Sequence, residues 1–174
     1  MTSGTRNRLI GLGLAATLFA VDQWFKGLVM GPLDLPNVSR IEILPFFDLH
    51  FTQNFGVSLG MLTAESREMQ LALIAMTSLI ALGVLVWMLR EKALGDIVAL
   101  GMVLGGALGN IRDRATYGYV IDYADLHFGE FRPFLIFNIA DAAITIGVLI
   151  ILARSLLSRE KPDADAAPAA APES

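Results

Sequence analysis

Asp22, Asn110, Asn138 and Asp141 each interrupt an apolar stretch of the chain, and Asp122 sits in a short Val-Ile-Asp-Tyr run. An ionisable group inside a membrane-length apolar segment is costly, and it is a functional candidate by default. Asp22 and Lys26 stand at i, i+4 in the favourable order for an ion pair, which by itself reads as support between helices. Asn138 and Asp141 stand at i, i+3, so on one helix they share a face. Asp113 and Arg114 follow Asn110 by three and four residues and form a polar cluster with it. Two carboxylates a few ångströms apart cannot both ionise easily and hold one proton between them. One then works as general base on water, the other as general acid towards a peptide carbonyl or leaving amine. Spacing alone does not bring Asp122 to Asp141, because 19 positions and a chain reversal separate them.

The elements that carry these residues follow from composition. The 174 residues are 55% apolar and 17% charged, with a mean hydropathy of +0.59. Ordinary soluble domains are about half apolar and about a quarter charged, so the balance indicates a membrane protein. The formal net charge of -4 gives no basic footprint for nucleic acid. The absence of cysteine removes disulfides, thiol nucleophiles, thiolate zinc sites and iron–sulfur clusters, and it means the chain is not itself a lipid-modified lipoprotein. Crossing about 30 Å of hydrocarbon takes roughly 20 apolar residues. Four stretches qualify, at about 9–30, 69–89, 94–111 and 134–157, the last starting just after Pro133, a good helix opener. A cleaved signal peptide is the alternative for the first.

Basic residues near the span ends number seven on the side of the termini and five on the other, with Arg90 and Lys92 in the tightest loop. That bias places both termini in the cytoplasm and residues 31–68 and 112–133 outside. Ile41, Ile43, Phe47, Leu49 and Phe51 recur at strand-like intervals broken at Pro45, which predicts a small sheet on the membrane surface. The Ala-, Pro- and acid-rich segment 161–174 reads as a disordered tail. At 1.5 Å per residue, Asp22 lies about 10 Å below the outer face, Asp141 about 12 Å below it when counted from Pro133, and Asn110 about 24 Å from the inner face. Gly101, Gly105 and Gly109 repeat every fourth residue and mark a close helix contact.

These residues, in this order, resemble the lipoprotein signal peptidase family, or signal peptidase II, a family of bacterial intramembrane aspartic proteases. Asp22-Gln-Trp-Phe-Lys26 is similar to its DQxxK block, Gly105 to Arg114 to GGxxGNxxDR, Val120-Ile-Asp122-Tyr to VxDF, and Phe137 to Ile144 to FNxADxxI. Asn54-Phe-Gly56-Val-Ser58-Leu59 keeps the Asn and Gly of NxGxAF but departs at its last two positions. The resemblance implies a four-helix membrane bundle with a small extracytoplasmic β-sheet cradle at about 31–68, all within one peptidase domain spanning 1–160. It implies Asp122 and Asp141 as the catalytic pair. Asn54, Arg114, Asn110 and Asn138 would meet the substrate or order the site, supported by Asp22, Lys26, Gly56 and Asp113. It implies a diacylglyceryl-modified prolipoprotein substrate cut on the amino side of its lipidated cysteine, within the bacterial inner membrane. Membrane lipid and globomycin-type inhibitors would be the other partners, with no metal or cofactor. Among readings from other classes, Gly56-Val-Ser58-Leu-Gly60 fits the letters GxSxG but lacks the α/β sheet that motif needs. No HExxH accompanies His50 and His127, the only histidines. A small proton-coupled carrier would also use acids inside spans, but no inverted repeat is visible. A polar-cored scaffold without chemistry is the remaining alternative.

Overall fold

The structure, a computed structural model, describes residues 2–56 and 67–159. Four long helices, α1 (Ser3–Met30), α3 (Arg67–Arg90), α4 (Leu94–Tyr117) and α5 (Ile139–Arg159), accompany a four-residue helix α2 (Leu35–Val38). The four long ones are long and apolar enough to cross a membrane. Three strands, β1 (Arg40–Leu44), β2 (Phe47–Asn54) and β3 (Val120–Leu126), form one antiparallel sheet in sequence order. The chain is a multi-pass membrane protein with a small sheet at one end of its bundle. The predicted tail at 161–174, together with Ser58 and Leu59, lies outside the described residues.

α4 is the most buried of the four and packs against α1, α3 and α5. Its glycines explain how. A Cβ on Gly105 would stand 2.6 Å from the Ala15 carbonyl oxygen of α1, and one on Gly106 would collide with the Ala140 carbonyl oxygen of α5. Adjacent positions of one helix thus admit two neighbouring backbones, which in lipid is what holds helices together. Ala15, Ala81, Met88, Ile97, Leu100 and Leu104 form the buried core between the helices. A second core of Val29, Leu35, Leu49, Ile121, Tyr123 and Ala124 joins the sheet to the helix ends, with Phe25 stacked on Tyr123 at 4.9 Å.

Three sequence expectations change. Two strands appear where residues 39–53 predict them, with Ile41 opposite Leu49, and they turn at Pro45 and Phe46. The third strand, β3, has no counterpart in the sequence reading, and it places Asp122 in the sheet opposite Thr52. α4 runs past Ile111 to Tyr117 and stops at Gly118, whose φ of +82° closes the helix. The fourth helix starts at Ile139 rather than just after Pro133. The reason is hydrogen bonding: Phe137 gives its N–H to the Ala124 carbonyl at 3.1 Å, and its own carbonyl accepts from Tyr123 and Ala124 at 3.1 and 2.8 Å. A residue bound to a strand on both sides cannot also begin a helix. Asn138 therefore precedes α5 instead of sharing a helix face with Asp141.

Candidate active site

The bridge between Ala124 and Phe137 brings β3 alongside the start of α5, and with it Asp122 to the neighbourhood of Asp141. The helix begins inside the molecule, so its first N–H groups need partners. Side chains supply all of them. Ile139 N–H donates to the Tyr123 hydroxyl at 3.3 Å, Ala140 N–H to Asp22 Oδ1 at 3.0 Å, and Asp141 N–H to Asn138 Oδ1 at 2.8 Å. Asp141 Oδ2 accepts the Asn138 N–H in return at 3.3 Å, which completes a capping box.

Asn138 also reaches the other acid. Its Nδ2 donates to Asp122 Oδ1 at 2.6 Å, to the Ile121 carbonyl at 3.3 Å and to Asn110 Oδ1 at 3.3 Å. Asn54 Nδ2, from β2, donates to Asp122 Oδ2 at 3.0 Å, and Asn54 Oδ1 accepts the Gly56 N–H at 3.2 Å. Asn110 Nδ2, from α4, donates to Asp141 Oδ1 at 2.7 Å. Both carboxylates are thus held by carboxamides, and Asn138 serves both. Asp122 is 2% exposed. Burial, and then the negative charge of Asp141, push its carboxyl up to about 7. Burial also holds the Tyr123 phenol above its ordinary range, so it stays neutral.

Behind the acids lies a buried ion cluster. Lys26 Nζ stands 2.9 Å from Asp22 Oδ2 and 2.6 Å from Asp113 Oδ2. Asp113 Oδ2 also accepts the Ile121 N–H at 3.2 Å, which ties α4 to β3 one residue from Asp122. Gly109 makes room for this: a Cβ there would stand 2.6 Å from Asp22 Oδ2. Gln23, which the sequence reading leaves without a role, donates to Asp22 Oδ2 and Asp113 Oδ1 at 3.0 Å each and bonds Arg112 through its own oxygen. Its signal was a second polar residue beside Asp22 in the same span. Arg114 lies in the field of Asp141, Asp122 and Asp113, and its buried Nε has no hydrogen-bond partner among the described residues.

The structure therefore brings together Asp122, Asp141, Asn54, Asn110 and Asn138, with Asp22, Lys26, Gly56 and Asp113 around them. Asn138 spends both side-chain atoms on the acids and their backbone. His127 and His50 lie elsewhere, at Asp48 and Asp125 of the sheet, 2.7 and 3.8 Å away respectively. An apolar cavity of about 290 Å³ opens beside Asp141, lined by Phe134, Leu135, Phe137, Ala142, Thr145 and Ile146. A buried acid beside a half-buried one, with amide donors and an adjoining apolar recess, can activate water against a carbonyl carried on a greasy substrate.

Comparison with known proteins shows the family and the fold. A family model described as signal peptidase (SPase) II matches residues 14–157. A lipoprotein signal peptidase of Rhizorhabdus wittichii is 54% identical over 88% of this chain and 90% of that protein. One from Sphingopyxis alaskensis is 51% identical over 91% and 92%. A bacterial membrane enzyme solved by the in meso method superposes with a TM-score of 0.77 at 25% identity, covering 91% of this chain and 94% of its own.

Proposed function

The chain belongs to the signal peptidase II family of proteases, which cleave the signal peptides of lipoprotein precursors, and from that premise we propose that it is an aspartic endopeptidase whose catalytic pair is Asp122 and Asp141. The observation that carries this reading is Asn138, which binds Asp122 through its side chain and Asp141 through both side chain and backbone. The pair holds one proton. The ionised acid takes a proton from water as the water oxygen bonds to the scissile carbonyl carbon. The protonated acid gives its proton to the carbonyl oxygen. The resulting diol collapses: the C–N bond breaks, the leaving nitrogen takes the pair's proton, and a diol hydroxyl gives its proton to the other acid as the new carboxyl group forms, so the pair returns to one proton.

The substrate is a prolipoprotein carrying diacylglycerol on its lipobox cysteine, cut on the amino side of that cysteine. The apolar recess beside Asp141 supports a lipidated substrate, because it lets acyl or apolar side chains approach the acids without passing water. Asn54 and Arg114 meet the substrate: one touches Asp122 already, the other keeps a donor uncommitted. Asn110 and Asn138 hold the acids for it. Membrane lipid surrounds the exposed helix faces, and globomycin-type inhibitors compete at the same place. The protein works in the bacterial inner membrane with both termini in the cytoplasm.

The test is cleavage of a diacylglyceryl lipobox peptide by the purified protein and by Asp122→Asn and Asp141→Asn. Each variant is expected to lose about 10²–10⁴-fold in rate while folding normally. Full activity in either folded variant overturns the pair. EDTA is expected to leave the rate unchanged; inhibition reversed by zinc would assign the chemistry to a metal instead.

A further inference from the structure

Lys26 reaches the acid pair through one amide. Its Nζ lies 3.3 Å from Asn110 Oδ1, and the side chain is 2% exposed. An ammonium has only donors, so the Asn110 atom that faces it must be the oxygen. The same oxygen receives Asn138 Nδ2 at 3.3 Å. The NH₂ of Asn110 is left to face Asp141, where it donates to Oδ1 at 2.7 Å. Asn138 is oriented by the same logic. The Asp141 N–H can only donate, so it holds Asn138 Oδ1, and the NH₂ turns to Asp122.

We propose that Lys26 is a positioning residue for the hydrolysis: by occupying the oxygen of Asn110 it keeps the NH₂ of that amide on Asp141, so Asp141 meets water as an acceptor-only carboxylate. The inference rests on reading Asp122 and Asp141 as the catalytic pair. The charged and titratable groups around this contact are Asp22 of α1, Asp113 and Arg114 of α4, Asp122 and Tyr123 of β3, and Asp141 itself. With Lys26 gone, the Asn110 oxygen loses its charged partner and is held away from Asp141 only by the 3.3 Å contact with Asn138 Nδ2, which that donor shares with Asp122 and the Ile121 carbonyl. The amide can turn, and an oxygen facing Asp141 is met only by a protonated acid. The plainer role is neutralisation of Asp22 and Asp113, in which Asn110 takes no part.

A double-mutant cycle separates the two roles. The turnover number and KM are measured on the diacylglyceryl lipobox peptide for wild type, Lys26→Met, Asn110→Leu and the double variant, with Asp141→Asn as control. Lys26→Met is expected to lower kcat about 10- to 100-fold, the worth of one hydrogen bond to a charged group, with KM within about twofold. In the Asn110→Leu background the same change is expected to cost less than about threefold, because its route to Asp141 is already cut. Removing Lys26 leaves two buried acids without their cation. The cycle is therefore repeated in Asp113→Asn, where cation and acid leave together, with thermal unfolding to confirm the fold. Losses that multiply in both backgrounds, or a loss carried by KM, overturn the positioning role. Full activity of Asp141→Asn overturns the acid pair, and this inference with it.

Discussion

Asn138 and Asp141 bind each other reciprocally across the first turn of α5: the side chain of each accepts the backbone N–H of the other, at 2.8 and 3.3 Å. One of the two candidate catalytic acids is therefore the first-turn partner in the capping box of its own helix. Its position is set by backbone geometry rather than by a free rotamer, and the same Asn138 fixes the second acid from 2.6 Å.

Asn138→Ser separates these two duties. The hydroxyl oxygen can still cap the helix but the shorter side chain does not reach Asp122, so the rate is expected to fall about 10- to 100-fold with little change in unfolding temperature. Asn138→Ala loses both, and a stability loss of about 1 kcal/mol is expected to accompany the lost rate. Parallel turnover and thermal-unfolding measurements on the two variants check this. Equal unfolding losses would show that the cap does not hold the helix.

The Asp122 carboxyl, raised from 3.8 to about 7 by burial and then by Asp141, sets a pH limit. Hydrolysis that needs one proton on the pair is expected to decline as pH rises through about 7, and to decline again at acid pH where the second acid is protonated too. The folded state binds this proton more tightly than the unfolded chain. Its contribution to stability is thus complete below about 4 and is lost as pH rises towards 7. Asp122→Asn is expected to remove that part of the pH dependence of unfolding, and a slope unchanged by the mutation would contradict the assignment.

Gly106→Ala tests the approach of α4 to α5. Its Cβ would collide with the Ala140 carbonyl oxygen, a backbone atom one residue from Asp141. The helix must retreat, so a destabilisation of about 1–3 kcal/mol and a disproportionate loss of turnover are expected. Gly13→Ala, with nothing within 4 Å, is the control and should be neutral or stabilising by up to about 1 kcal/mol.

Asp48 staples the sheet. It takes hydrogen bonds from His127, at 2.7 Å, and from Arg40. Burial alone would raise its carboxyl, but these two partners hold it below its ordinary range. A depressed acid contributes stability at neutral pH that is lost as pH falls through that depressed range. Asp48→Asn is expected to lower the unfolding temperature at pH 7, and the gap from wild type should narrow on acidification. A gap that stays constant to pH 3 would show that the charge of Asp48 plays no part.

Much of this was readable before any coordinates. The four spans follow from apolar length, and Asp22, Asn110 and Asp141 stand out because polar groups are expensive there. Their estimated depths survive in an altered form: Asp22 and Asn110 touch the first turn of α5, so the three do lie at one level. What local sequence could not supply was β3. Val120–Leu126 pairs with residues some seventy positions earlier, and no periodicity within seven residues announces a distant partner. The late start of α5 was hidden for the same reason. Pro133 is a good local opener, but the hydrogen bonds of Phe137 to Ala124 overrule it. The cue that was present, Asn138 followed three residues later by Asp141, is a capping signal, and it looked like a shared helix face.

The first turn of α5 draws its partners from Asp22 of α1, Asn110 of α4 and Tyr123 of β3, and Asn54 of β2 completes the surroundings of Asp122. No pair of neighbouring segments contains the whole arrangement. A chain still being threaded into the bilayer carries both acids but has no site. On the reading proposed here, the capacity to cut other polypeptides arrives only when the last helix docks, which spares half-made copies from cleaving whatever lies beside them.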